Sequence, residues 1–231
     1  MTMIADNLQR VHKAMAAACV ACGRDTTSVR LLAVSKTFGA DAVRAAHAAG
    51  QMAFGENYVQ EAVAKMEALA DLRKQIEWHL IGPLQSNKTR VVAELFDWVQ
   101  SVDRLKIAQR LSEQRPAHLQ PLQVCLQVNI DGGANKSGVS AGDLLPLARE
   151  VARLPGLRLR GIMGIPEPSA DFETACAVFT QIKVLFDQVH KEHPHADTLS
   201  MGMSADWQAA ICSGSSMVRL GTAVFGDRVY V

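Results

Sequence analysis

An α/β fold, a single (β/α)8 TIM barrel with an extra N-terminal helix, is what the sequence predicts, on three observations. Eight short apolar runs begin near Val29, Met52, Ile76, Trp98, Leu122, Leu157, Thr198 and Met217, spaced 19 to 41 residues apart. Every gap between them holds a helical pattern, so strands and helices alternate as they do in a parallel sheet covered by helices. No G-x-G-x-x-G or Walker sequence follows the first run, which favours a closed barrel over an open doubly wound sheet. The 231 residues suit one barrel domain over 1–231, because α/β barrels of this size occur undivided. No linker, low-complexity tract or change of composition marks a second domain.

The elements follow in order. Ile4, Leu8, Val11, Met15, Ala18 and Cys22 fall on one helical face ended by Gly23, an amphipathic helix over residues 1–23 that flanks the barrel. The run from Val29 to Ser35 is short, β-branched and apolar, as a strand buried on both faces should be. An alanine-rich helix spans Ala40 to Ala49 and stops at Gly50. Later, Ser140-Ala-Gly-Asp143 opens a helix with a capping-box-like start. The longest helical pattern places Phe172, Cys176, Phe179, Ile182, Phe186 and Val189 on one face. Ala223 to Gly226 is short enough for a single helical turn.

Composition narrows the function classes. Lys and Arg number 24 against 23 Asp and Glu, a formal charge of +1, which argues against nucleic acid as a partner. No apolar run approaches the ~18 residues of a membrane span, and the N-terminus lacks the basic-then-apolar order of a secretory signal. The five cysteines, Cys19, Cys22, Cys125, Cys176 and Cys212, read as reduced core thiols of a cytoplasmic protein. Cys19-Val-Ala-Cys22 has metal or redox spacing, but no second pair follows, so both cysteines are expected in the core. His190, His193 and His195 are expected to be a helix end suited to the helix dipole, without a metal.

In a barrel, chemistry collects at the carboxyl ends of the strands. The first run ends in Val34-Ser35-Lys36, and a lysine there sits beside a low-dielectric interior that favours its neutral amine. Such an amine is the nucleophile for Schiff-base formation with an aldehyde. After the eighth run, Gly221 and Thr222 open a short turn suited to an anion, where barrels often bind phosphate. Ser200 and Ser204 lie at the mouth beside it, and Ser204 has a second reading as a helix N-cap. A lysine opposite a phosphate cradle fits a phosphorylated aldehyde, with pyridoxal 5′-phosphate foremost. Arg219, two residues before Gly221, shares its strand face and points inward. It is expected to donate to the cofactor's ring nitrogen, or else to pair with a barrel carboxylate.

Val34-Ser-Lys36, Phe54-Gly-Glu-Asn57, Trp78 through Lys88, Lys136-Ser-Gly138, Gly161 through Gly164, Ser200-Met-Gly-Met-Ser204 and Val218 through Gly226 together resemble the pyridoxal phosphate homeostasis protein family, over residues 29 to 227. The resemblance implies a barrel related to the N-terminal domain of alanine racemase. It makes Lys36 the Schiff-base lysine, Arg219 the arginine facing the pyridine nitrogen, and Ser200, Gly221 and Thr222 the phosphate contacts. It places Asn57 and Ser204 beside the cofactor and Met201, His79 and Met163 in the walls. Relatives often carry Lys, Gln or Arg and then Pro after Ser-Lys-Thr; here Phe38-Gly39 follows. Lys136 aligns with a loop lysine whose reading as a solvated surface lysine is preferred over a second aldehyde acceptor.

Two function classes follow. One is a non-catalytic protein that buffers pyridoxal phosphate and delivers it, with apo-enzymes as partners and a cytoplasmic monomer as the expected form. The other is an amino-acid racemase, which needs acid/base groups on both faces of the substrate α-carbon. The chain ends five residues after Gly226 and holds only Tyr58 and Tyr230 as tyrosines, so the carrier is expected. A Schiff-base aldolase acting on a sugar phosphate is a third, weaker reading.

Overall fold

In the computed structural model, which describes residues 3–132 and 137–227, the eight strands form a closed parallel barrel in the order of the chain. Strands β1 Arg30–Val34, β2 Ala53–Glu56, β3 Glu77–Leu80, β4 Trp98–Val102, β5 Leu122–Val128, β6 Leu157–Gly164, β7 Thr198–Ser200 and β8 Met217–Leu220 start within a residue or so of the apolar runs that predict them. Closure comes from β1 pairing with β8, Arg30 opposite Met217 through Ala33 opposite Leu220. Helix α1, Met3–Ala21, precedes the barrel and packs against α2, Ala40–Ala48, α8, Trp207–Cys212, and the short α9, Thr222–Phe225. The helices between are α3 Val59–Ala68, α4 Thr89–Leu95, α5 Leu105–Gln114, α6 Leu144–Ala152 and α7 Phe172–Glu192.

Strand alternation divides the interior in two. Leu31, Ala33, Phe54, Trp78, Leu80, Val124, Leu126, Leu199 and Val218 join the large cluster shared with the helices, since successive side chains take opposite faces. The alternate set points into the barrel and is not continuously aliphatic. Leu32, Ala53 and Met217 form one small apolar group, and Trp98, Cys125 and Met163 another. Between them lie His79, Gln100, Ser200 and Arg219, each at most 3% exposed.

The cysteine expectation needs one correction. Cys19 and Cys125 are buried free thiols, but Cys22 and Cys212 form a disulfide that ties the end of α1 to the end of α8 across 190 residues. Periodicity places Cys22 on the buried face, yet it lies one residue past the helix end, where it meets Cys212. The His190 to His195 stretch closes α7, and among the described residues no cluster suited to a metal occurs. Among the same residues no helix is long and apolar enough to cross a membrane.

Candidate functional site

At the carboxyl ends of the strands a cavity of about 480 Å³ opens, lined by Val34, Lys36, Asn57, Ile81, Ile165, Met203, Ser204, Ala205, Arg219, Gly221 and Thr222. Six of the eight predicted cofactor residues therefore meet there. The charged side chains among the described lining residues are Lys36 and Arg219, with no carboxylate between them. That donor set suits an anion that also offers an electrophile to an amine.

Lys36 sits on a turn closed by Phe38 N–H donating to Ser35 O at 3.0 Å. Thr37 takes φ 69° in this turn, the one positive φ at a non-glycine among the described residues, a conformation that costs roughly 1–2 kcal/mol outside glycine. Neighbouring side chains hold it. Glu61 accepts from Thr37 N–H at 2.6 Å, and Lys65 Nζ donates to Ser35 O at 2.6 Å, Glu56 Oε1 at 2.7 Å and Glu61 Oε1 at 2.7 Å. Glu56 is fully buried and Lys65 nearly so; burial raises the Glu56 pKa, against the pull of Lys65 and the Ser35 hydroxyl. The buried Lys65–Glu56 pair thus holds Ser35 on one side of Lys36, and Glu61, which Lys65 also contacts, holds Thr37 on the other. Phe38 stacks on Phe225 at 4.9 Å between ring centres, fastening the Lys36 turn to α9.

Asn57 follows β2 and is fixed by a close backbone approach. A Cβ on Gly82 would stand 2.2 Å from Asn57 O, so only glycine lets the β3 loop pass under it. Gly221 and Thr222 mark the change from β8 to α9. Ser204 does not cap α8, whose N-cap is Asp206; its reading as a cavity residue is the one the geometry leaves.

Ser200 and Met201 are not among the lining residues. Ser200 pairs with Met217 across the β7–β8 ladder, two residues below Arg219, and is fully buried. Its Oγ–H donates to Gln100 Oε1 at 2.6 Å. Arg219 Nη1 donates to both Ser200 O and Ser200 Oγ at 2.8 Å, and Nη2 to Gly164 O at 3.0 Å. All three acceptors are neutral oxygens, so Arg219 is not half of a barrel salt bridge. Desolvation lowers its pKa to about 10, which leaves it a cation at neutral pH. Met201 belongs to the sheet–helix core, while His79 and Met163 lie below the cavity in contact with Trp98. Lys136 lies outside the described residues. Sequence reasoning missed Gln100, Lys65, Glu61 and Glu77, polar residues on strands or helices whose partners are distant in the chain.

A one-barrel protein with a lysine and an arginine lining one cavity at the strand ends is the class these features define, and comparison with known proteins agrees. The family profile described as alanine racemase, N-terminal domain, matches residues 4–229. The chain belongs to the pyridoxal phosphate homeostasis protein family: it is 56% identical to the member so named from Pseudomonas aeruginosa over 100% of this chain and 98% of that one, and 52% identical to that from Escherichia coli K12 over 100% and 99%. Among solved structures, PipY of Synechococcus elongatus PCC7942 with PLP bound is similar at 36% identity and a TM-score of 0.84, covering 97% of this chain and 100% of that one. Alanine racemase from Corynebacterium glutamicum, at 19% identity and a TM-score of 0.69, shares the fold.

Proposed function

We propose that the barrel binds pyridoxal 5′-phosphate covalently through Lys36 Nζ and serves pyridoxal phosphate homeostasis by buffering and delivering it, without strong catalysis of its own. The observation that carries this is the cavity lining: an amine, a buried cation and hydroxyls converge with no opposing carboxylate. When bound, pyridoxal phosphate supplies an aldehyde for the amine and an electron-withdrawing ring. Arg219 would hold the ring nitrogen through an N–H donor and keep it unprotonated, which would weaken the ring as an electron sink. Thr222 and Ser204 offer hydroxyls, and Gly221 a backbone N–H, to the phosphate. Asn57 supplies an amide at the ring edge.

The names of the relatives and the PLP-bound PipY structure support the same reading. The carrier is preferred over the racemase because racemisation needs a second acid/base group opposite the lysine. Tyr58, the tyrosine near a strand end, is 61% exposed and outside the cavity lining. We place the protein in the cytoplasm as a monomer of one barrel domain, with apo-enzymes that need the cofactor as recipients.

The test is to load the purified protein with pyridoxal phosphate, record its visible spectrum, reduce it with borohydride and map the pyridoxyl mass by peptide mass spectrometry. A yellow band and a label on Lys36, lost in Lys36→Ala, are expected. A protein that stays colourless with excess cofactor refutes the assignment. Robust interconversion of alanine or serine enantiomers would replace the carrier by the racemase.

A further inference from the structure

Four hydrogen bonds cross the barrel interior from the cavity to its floor. Arg219 Nη1 donates to Ser200 Oγ at 2.8 Å. The hydroxyl's single proton then goes to Gln100 Oε1 at 2.6 Å. The Gln100 amide nitrogen faces His79 Nδ1 at 2.9 Å, and the other ring nitrogen, Nε2, faces Glu77 Oε1 at 2.8 Å. These contacts admit one arrangement of protons. An amide NH2 only donates, so His79 Nδ1 must accept and Nε2 must carry the hydrogen. Every donor therefore points the same way, from the Arg219 cation to the Glu77 carboxylate, which also accepts from Arg30 Nη2 at 2.8 Å.

We propose that Gln100 and His79 are positioning residues for the cofactor: they lock the Ser200 hydroxyl with its lone pair toward Arg219, and so fix the guanidinium facing the cavity. The proposal deepens the pyridoxal phosphate reading and rests on it. Ser200, Gln100 and His79 are each fully buried, in a place that barrels usually fill with branched aliphatic side chains. Polar groups there cost stability unless every one is paired, and apolar replacements of similar shape are often neutral. The fold alone thus has no need of them. Burial also lowers the His79 pKa, which keeps the ring neutral and the donor order fixed. Gln100, a primary amide, has no proton to pass on at neutral pH, so the chain orients groups and does not conduct protons.

The variant Gln100→Met keeps the length of the side chain and removes its bonds to Ser200, His79 and the Met217 sulfur. Loaded with pyridoxal phosphate, it should release the cofactor about tenfold faster than wild type, within the range set by one buried group losing its partner. Its visible band should also shift as Arg219 leaves the ring nitrogen, while the cofactor-free variant stays folded with a lower melting temperature, because the Ser200 hydroxyl and His79 Nδ1 lose their partner. In an Arg219→Met background the same change should add nothing, because its effect runs through the guanidinium. A wild-type band and release rate in Gln100→Met, or an effect that persists without Arg219, overturns the proposal. A second arm needs no variant: nitrogen-15 NMR of histidine-labelled wild type should show His79 as the Nε2–H tautomer and its shifts should move on cofactor loading. A His79 indifferent to loading in a protein that visibly binds the cofactor overturns the positioning role alone. A wild type that takes up no cofactor refutes the proposed function and this inference with it.

Discussion

Replacing Lys65 with methionine removes a paired cation from the fully buried Glu56 carboxylate and should unfold the protein well below its normal temperature. In the wild type, Glu56 Oε1 accepts from Lys65 Nζ at 2.7 Å and Ser35 Oγ at 2.5 Å, while Oε2 is buried with no hydrogen-bond partner. Removing one partner of a buried pair leaves a stranded charge and costs about 3–5 kcal/mol. For a chain of this length that corresponds to a melting temperature lower by roughly 10 °C. The loss must also depend on pH. Burial raises the Glu56 pKa above its ordinary value, so between the unfolded and folded values the native state binds more protons than the unfolded one. Stability then falls as pH rises through that window. Removing Lys65, whose charge and hydrogen bond lower the Glu56 pKa, pushes the folded value higher and extends the window upward. Thermal unfolding followed by circular dichroism near neutral pH and near pH 5 should show a deficit for Lys65→Met that shrinks in acid. The double variant Lys65→Met with Glu56→Leu should recover most of it, as apolar replacement of a buried pair often does. A fall of less than about 3 °C at neutral pH, equivalent to roughly 1 kcal/mol, would refute the reasoning. So would a deficit indifferent to pH.

Three further outcomes follow from other parts of the barrel. Burial works against the charged form of Glu77, yet the N–H of His79 and the Arg30 guanidinium hold its pKa down at about 2 against an ordinary 4.5. The unfolded state binds more protons between those values, so stability from Glu77 is lost as pH falls through them; Glu77→Gln should flatten that acid limb in melting scans, and superimposable limbs would contradict it. At Gly161, φ is 144° and an added Cβ would lie 1.8 Å from Thr198 O, so Gly161→Ala should give little soluble folded protein, and normal yield with an unchanged melt would show the backbone can move aside. Breaking the Cys22–Cys212 link frees a loop of 190 residues, which the chain-entropy estimate values at up to about 5 kcal/mol. Wild type should therefore melt lower in reductant while Cys22→Ser does not change, and equal melts for both would argue against the link.

Much of this protein is legible from its sequence because side-chain periodicity reports which face of an element is buried. The eight strand starts, the amphipathic α1 and the buried face of α7 at Phe179, Ile182, Phe186 and Val189 all follow from that rule. So do Lys36 at the end of an apolar strand and Arg219 on the same strand face as Gly221, which meet in the cavity. Phe172, on the predicted α7 stripe, is instead 54% exposed. It is the first residue of the helix, where the stripe has already left the sheet.

What periodicity omits is depth along the barrel axis and the identity of distant partners. Ser200 and Thr222 both look like mouth residues in the sequence, but the register that sets Ser200 opposite Met217 drops it beneath Arg219 and turns it from a cavity wall into a link. Gln100 reaches Ser200 across 100 residues, Lys65 reaches Ser35 from the middle of a helix, and Cys22 meets Cys212 from the opposite end of the chain. Each pairing depends on where separate strands and helices come level, a tertiary property that no local pattern carries. The sequence alone determined the barrel, the Lys36 amine and the Arg219 guanidinium, because those follow from alternation along single strands. Only the tertiary structure decided how the two side chains are braced, because that follows from where separate strands come level.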